Sequence, residues 1–121
     1  VENSEVPRIT CEDLKRLVDK GEQVVIIDTR DSGSYGNDHI KGAINIYYNP
    51  AGDPIERELP FMALPADKLL VIYCDCVDES DSSIMATELK AQRYDIKNIK
   101  VLKQGYMRWK ELDYPTEKSE Y

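Results

Sequence analysis

Leu69-Leu70-Val71-Ile72-Tyr73 runs straight into Cys74 with no charged or amide side chain between. A strand with one wet face alternates apolar and polar side chains. An unbroken run of this kind fits a strand covered on both faces, as in a parallel sheet between two layers of helices. Val24-Val25-Ile26-Ile27 has the same character and ends at Asp28. Two such strands, separated by helical and loop segments, predict an α/β layered fold.

Upstream, Thr10 followed three residues later by Asp13 signals a helix start, and Leu14, Leu17 and Val18 form one apolar stripe that Gly21 ends, so a helix is predicted over 11–20. Between the two runs, 43–46 reads as a short strand. The segment 49–60, with Pro50, Gly52, Pro54 and Pro60, reads as loop around a helical turn. Downstream, Ser82 or Ser83 is predicted to cap a helix carrying Met85, Ala86, Leu89 and Tyr94 on one side. The run 99–102 is a third strand, Gln104-Gly105 lead into a short helix over 106–112, and the tail 117–121 is expected to be solvated.

The 121 residues make one ordinary domain and leave no room for two cores. With 41% hydrophobic and 32% charged residues, the chain fits a soluble globular class and not a disordered one. Sixteen Lys and Arg against twenty-three Asp and Glu give a net charge of −7, a sign that opposes nucleic-acid and anionic-membrane partners. No apolar run approaches the ~20 residues that span a bilayer. Three cysteines, Cys11, Cys74 and Cys76, cannot all pair within one chain, so a reducing, cytoplasmic location is expected. Export is the alternative, should Val1 follow a removed signal.

In parallel α/β sheets ligands bind beyond the carboxyl ends of the strands, where helix N-termini present free amides. The segment from Cys74 to Ser83 joins a buried strand to a helix start, and a cysteine there has reason to be held as thiolate. The bland counterpart is a small buried hydrophobe. As zinc ligands, Cys74 and Cys76 with the lone His39 fall short of a four-ligand set, so neither metal nor cofactor is expected. Neither Cys74 nor Cys76 has an Arg five residues on to hold a phosphoryl group, which argues against a cysteine phosphatase. A second thiol two residues from the first would suit attack on a persulfide or sulfenic acid, or Cys76 is simply a small loop residue.

Asp28-Thr29-Arg30-Asp31, then Tyr35, then His39-Ile40-Lys41-Gly42-Ala43-Ile44-Asn45-Ile46 resembles the first signature of rhodanese-like sulfurtransferase domains: Asp-x-Arg, a Tyr, and His-Ile-x-Gly-Ala-x-Asn. Val71-Ile72-Tyr73-Cys74 is similar to that family's strand ending in its active-site cysteine. Gly105 with Trp109, followed by Tyr114-Pro115, is similar to its closing Gly-x-x-x-Trp and Tyr-Pro signature. The resemblance runs from about Ile9 to Thr116. It implies a rhodanese-like fold, with a central, mostly parallel five-stranded sheet flanked by helices on both sides, and one domain over 1–121 with its core at about 9–116. It also implies a cysteine that accepts sulfane sulfur as a persulfide from a small donor or a protein-bound persulfide, and passes it to cyanide, a thiol or a protein acceptor. Asp28, Arg30, His39, Gly42, Gly105 and Trp109 take structural roles in this reading, with Asp28 and Arg30 as an ion pair or backbone anchor.

The usual loop of the family runs from the cysteine through five residues, commonly ending in Arg, to a Ser that opens the helix. Strand register favours Cys74 as the nucleophile. With the helix opening at Ser82, loop length favours Cys76. Cys74 is the expected nucleophile, with Cys76 as partner thiol or alternative. The active-site loop is then Asp75, Cys76, Val77, Asp78, Glu79, Ser80, Asp81 and Ser82, and its four carboxylates oppose an anion where the helix terminus favours one. Poor handling of dianionic thiosulfate is expected. The rival reading is a noncatalytic module of the same fold, whose acidic loop recognises a basic partner.

Overall fold

The computed structural model describes residues 6–75 and 79–119. The two apolar runs are strands β2 (Val24–Asp28) and β5 (Leu69–Tyr73), paired in parallel from Val24 opposite Leu69 to Asp28 opposite Tyr73. β1 (Arg8–Ile9), β4 (Ile44–Asn45) and β6 (Ile99–Leu102) complete a five-stranded, all-parallel sheet in the order β1-β6-β5-β2-β4. This is the rhodanese-like arrangement the motifs implied.

Successive side chains of a strand point to opposite faces, and each face is covered. On one side Ile27, Leu70, Ile72 and Val101 pack with Met85, Ala86 and Leu89 of α4 (Ser80–Gln92) and with Phe61 of α3 (Glu58–Met62). On the other, Ile26, Val71, Tyr73 and Leu102 pack with Leu14 of α1 (Cys11–Asp19) and with Tyr106 and Trp109 of α5 (Gly105–Glu111). Each fully buried Leu, Ile or Val contributes about 1.5–3 kcal/mol, which is why the continuous runs, and not alternating ones, dictate the sheet. Among the described residues no helix is long and apolar enough to cross a membrane.

α1 starts where the sequence indicates. The Asp13 amide donates to Thr10 Oγ1 at 3.0 Å, and Gly21 follows the helix end at φ +78°. Thr10→Ala is expected to lower stability by about 1 kcal/mol, read as a reduced urea midpoint with an unchanged slope.

Several expectations need correction. α4 opens at Ser80 and is capped by neither Ser82 nor Ser83, both of which are buried in its first turn. Its N-cap is Glu79, at φ +61° and without a side-chain capping bond. An ion pair between Glu79 and Arg8, 71 residues upstream, grips that turn instead. Tyr94 lies beyond the last residue of α4 and is 81% exposed, so it is not on the buried side. The strand predicted over 43–46 shortens to Ile44–Asn45. The loop at 49–60 contains a 3-10 turn at Pro54–Arg57 that leads into α3, and Arg57 ties it to α4 through Glu88 at 2.8 Å.

The tail is solvated at Glu117 and Lys118, as expected, and it is also paired. β7 (Thr116–Glu117) pairs antiparallel with β3 (His39–Ile40), and Glu117 Oε2 accepts the Gly42 amide at 2.8 Å. That hydrogen bond, with help from nearby His39 and against some desolvation, holds the Glu117 carboxyl below its ordinary value.

Candidate functional site

The carboxyl end of the sheet is organised around a buried carboxylate. Asp28 ends β2 and is fully buried. Its oxygens accept the Arg30 amide at 2.8 Å, Arg30 Nη2 at 2.8 Å and the Tyr73 hydroxyl at 2.7 Å. Tyr73 OH accepts in turn from the Ile40 amide at 3.1 Å. Arg30 Nη2 also donates to the Asp38 carbonyl, and its guanidinium lies 4.2 Å from the centre of the Tyr106 ring. Burial opposes the charge on Arg30, but the hydrogen bond to Asp28 and its charge prevail and push the Arg30 pKa up. Burial, reinforced by the Asp28 charge, pushes the Tyr73 phenol up as well. Asn45 Nδ2 donates to the carbonyls of Asp28 and Arg30 at 3.0 and 2.8 Å, joining β4 to the same cluster.

This cluster fixes the strand end from which Cys74 emerges. Cys74 is 1% exposed, and its carbonyl accepts the Tyr106 amide at 2.9 Å. Its Sγ lies 3.5 Å from Ser82 Oγ in the first turn of α4. Since α4 opens at Ser80, five residues separate Cys74 from the helix. The gap from Cys74 to the helix therefore has the length the resemblance implies. Glu79 then occupies the position where the resemblance commonly puts Arg.

Among the described loop acids, Glu79 stands apart from Asp75 and Asp81. Glu79 turns to Arg8 of β1, whose Nε donates to its Oε1 at 2.7 Å, while the Gln104 amide donates to its Oε2 at 2.8 Å. Asp75 is exposed, and Asp81 sits in the first turn of α4. These two line a cavity of about 200 Å³ together with Thr29, Arg30, Asp31, Ser34, Tyr47, Tyr48 and Pro50. Its one guanidinium is already committed to Asp28, so the three carboxylates give the space an acidic character. Cys76, Val77 and Asp78 lie outside the described residues.

The remaining motif residues hold backbone. His39 Nδ1 donates to the Tyr35 carbonyl at 2.7 Å, and the two rings stack with centres 3.8 Å apart. Gly42 and Gly105 occupy left-handed φ of +88° and +59°, which glycine adopts without a Cβ clash. Trp109 Nε1 donates to the Pro115 carbonyl at 2.8 Å. At Cys11, burial, with the adjacent Glu12 charge, pushes the thiol up to about 12.

Sequence reasoning missed Arg8, Tyr73 and the tyrosines at 47 and 48. For Tyr73 a signal existed, because it stands opposite Asp28 in the strand register. Nothing near Arg8 in the chain announces a partner 71 residues away.

A family model for the rhodanese-like domain matches residues 10–112. No curated protein matches the chain. Among solved structures, the Alr3790 protein from Anabaena is similar at a TM-score of 0.76 and 24% identity, over 93% of this chain and 94% of that one. Thiosulfate sulfurtransferase from Pseudomonas aeruginosa is similar at 0.75 and 19%, over 97% of this chain and 21% of that one. The 3-mercaptopyruvate sulfotransferase SseA from Escherichia coli is similar at 0.74 and 16%, over 96% of this chain and 53% of that one. At these identities the likeness is one of fold.

Proposed function

Since the chain belongs to the rhodanese-like domain family, we propose that it is a sulfurtransferase carrying sulfane sulfur as a persulfide on Cys74. The observation that carries this reading is the position of Cys74. It lies at the carboxyl end of the central strand, five residues ahead of the long helix α4, with a hydroxyl 3.5 Å from its sulfur. That position gives the thiolate and the persulfide anion the favourable end of a helix dipole and its free amides.

In the first half-reaction the Cys74 thiolate attacks the outer sulfur of a donor. A new S–S bond forms, the donor's own bond to that sulfur breaks, and the donor leaves with the bonding pair. In the second, a thiolate or cyanide attacks the terminal sulfur of the persulfide, and the Cys74 thiolate is the leaving group. Asp75, the residue next to Cys74, lines the acidic cavity with Asp31 and Asp81; a dianion approaching on that side is disfavoured, so the donor class proposed is a neutral or protein-borne persulfide, and the acceptor a thiol of a small molecule or a protein.

Incubation with a sulfane-sulfur donor is expected to add about 32 Da, one sulfur, to the intact protein, and Cys74→Ser is expected to abolish the adduct. An adduct that survives Cys74→Ser and disappears in Cys76→Ser reassigns the nucleophile to Cys76. The acidic cavity also favours a second reading, a noncatalytic module that docks a basic partner. No adduct on either cysteine, together with salt-sensitive binding to a basic partner, selects that reading.

A further inference from the structure

We propose that Arg8 and Glu79 form a strap that aims the Ser82 hydroxyl at the reacting sulfur, and that Ser82 exchanges its hydrogen bond as Cys74 passes from thiol to thiolate and persulfide. This rests on the assignment of Cys74 as the sulfur carrier.

Glu79 holds a left-handed φ of +61°, a conformation that a residue with a Cβ adopts only when its surroundings enforce it. Here both carboxylate oxygens are engaged, one by Arg8 Nε at 2.7 Å and the other by the Gln104 amide at 2.8 Å. Arg8 Nη2 also donates to Ser83 Oγ at 3.0 Å, so the strap grips the first turn of α4 at two points.

The Glu79 carbonyl, placed by that backbone, accepts the Ser82 hydroxyl at 3.1 Å and the Ser83 amide at 3.0 Å. A serine hydroxyl has one proton. With it directed at Glu79, the lone pairs of Ser82 Oγ face Cys74 Sγ at 3.5 Å and accept from the S–H. Once the sulfur is an anion, those lone pairs repel it. Rotation about the Cβ–Oγ bond then turns the hydroxyl proton to the sulfur. The Glu79 carbonyl keeps the Ser83 amide, so the exchange leaves no buried acceptor without a partner. No heavy atom moves.

Among the described residues, the charged and titratable groups at this end of the sheet are Asp31, Asp75 and Asp81, the Arg8–Glu79 pair, and Asp28 with Arg30, Tyr73 and Tyr106. Ser82→Ala alters none of them, so a change in Cys74 reactivity in that variant reports the hydroxyl itself. The experiment measures the rate of iodoacetamide alkylation at Cys74 against pH, resolved from Cys11 by peptide mass and from Cys76, two residues away, by fragment ions of the shared peptide. Cys11, as buried as Cys74 at 1% exposure, is followed in parallel, and a shift confined to Cys74 excludes a general loosening of the fold. Alongside it, kcat and KM for sulfur transfer are measured.

Ser82→Ala is expected to raise the alkylation midpoint by about one pH unit, the equivalent of one charge-assisted hydrogen bond. It is also expected to lower kcat about tenfold with KM little changed. Arg8→Gln is expected to move the midpoint the same way by less, and Arg8→Lys to recover part of the loss. A folded Ser82→Ala protein with an unmoved midpoint and unchanged kcat overturns the inference. Loss of the persulfide adduct in the unsubstituted protein overturns the sulfurtransferase reading instead, and the alkylation profile does not depend on that outcome.

Discussion

Asp28→Ala is expected to lower the free energy of unfolding by about 3–5 kcal/mol, the cost of removing one partner from a buried ion pair. Asp28 is fully buried and Arg30 is 9% exposed at its side chain, so neither has water to fall back on. The substitution leaves the Arg30 guanidinium without its counter-ion, the Tyr73 hydroxyl without its acceptor, and the Arg30 amide unpaired. Asn45 still joins β4 to the main-chain carbonyls, and Arg30 still stacks on Tyr106, so the protein is expected to fold with a weakened strand end. Against the 5–15 kcal/mol typical of a whole domain, this is a large share. Urea denaturation is the measurement. Tyr73→Phe is the companion variant, expected to cost about 1–3 kcal/mol because it removes both hydrogen bonds of the hydroxyl, the one to Asp28 and the one from the Ile40 amide, and leaves the ion pair intact. A loss below about 1 kcal/mol in Asp28→Ala contradicts the role given to the cluster.

The second large effect concerns donor charge. The double substitution Asp75→Asn with Asp81→Asn is expected to raise kcat/KM for thiosulfate by about tenfold or more. Each carboxylate opposes a dianion twice over, and the opposition strengthens beside low-dielectric walls. Both residues line the same cavity as Asp31, where the one cation, Arg30, is spent on Asp28. Added salt should raise the rate of the unsubstituted protein through screening, and do so much less in the double variant. A neutral persulfide donor should respond little to either change. Equal effects on both donors would show that the acids act on the thiol and not on the donor.

The parts of this molecule legible in the chain are those set by local pattern. Val24–Ile27 and Leu69–Tyr73 are unbroken apolar runs, and only a strand covered on both faces makes sense of them. Thr10 and Gly21 bracket α1 because a cap and a left-handed stop are local chemistry. The start of α4 was not legible, since Ser82 and Ser83 look like caps. The true terminus at Glu79 is set by Arg8, a residue far upstream. The two-residue strands β1, β3 and β7 are too short to leave any periodicity. The acidic cavity draws Tyr47 and Tyr48 from one crossover and Asp75 and Asp81 from another, a proximity that only the sheet order creates.

That order also has a consequence in time. Parallel strands cannot form hairpins, so every pairing in this sheet waits on a long crossover. β1 is the extreme case: Arg8 and Ile9 sit opposite Val101 and Leu102, close to the other end of the described chain, and the reward for closing so long a loop is a ladder only two residues long. Contacts of this kind slow folding as a whole. Arg8 travels with that strand, so the pair that grips Glu79 depends on the longest closure in the sheet. The turn beside Cys74 is thus fastened by an edge strand.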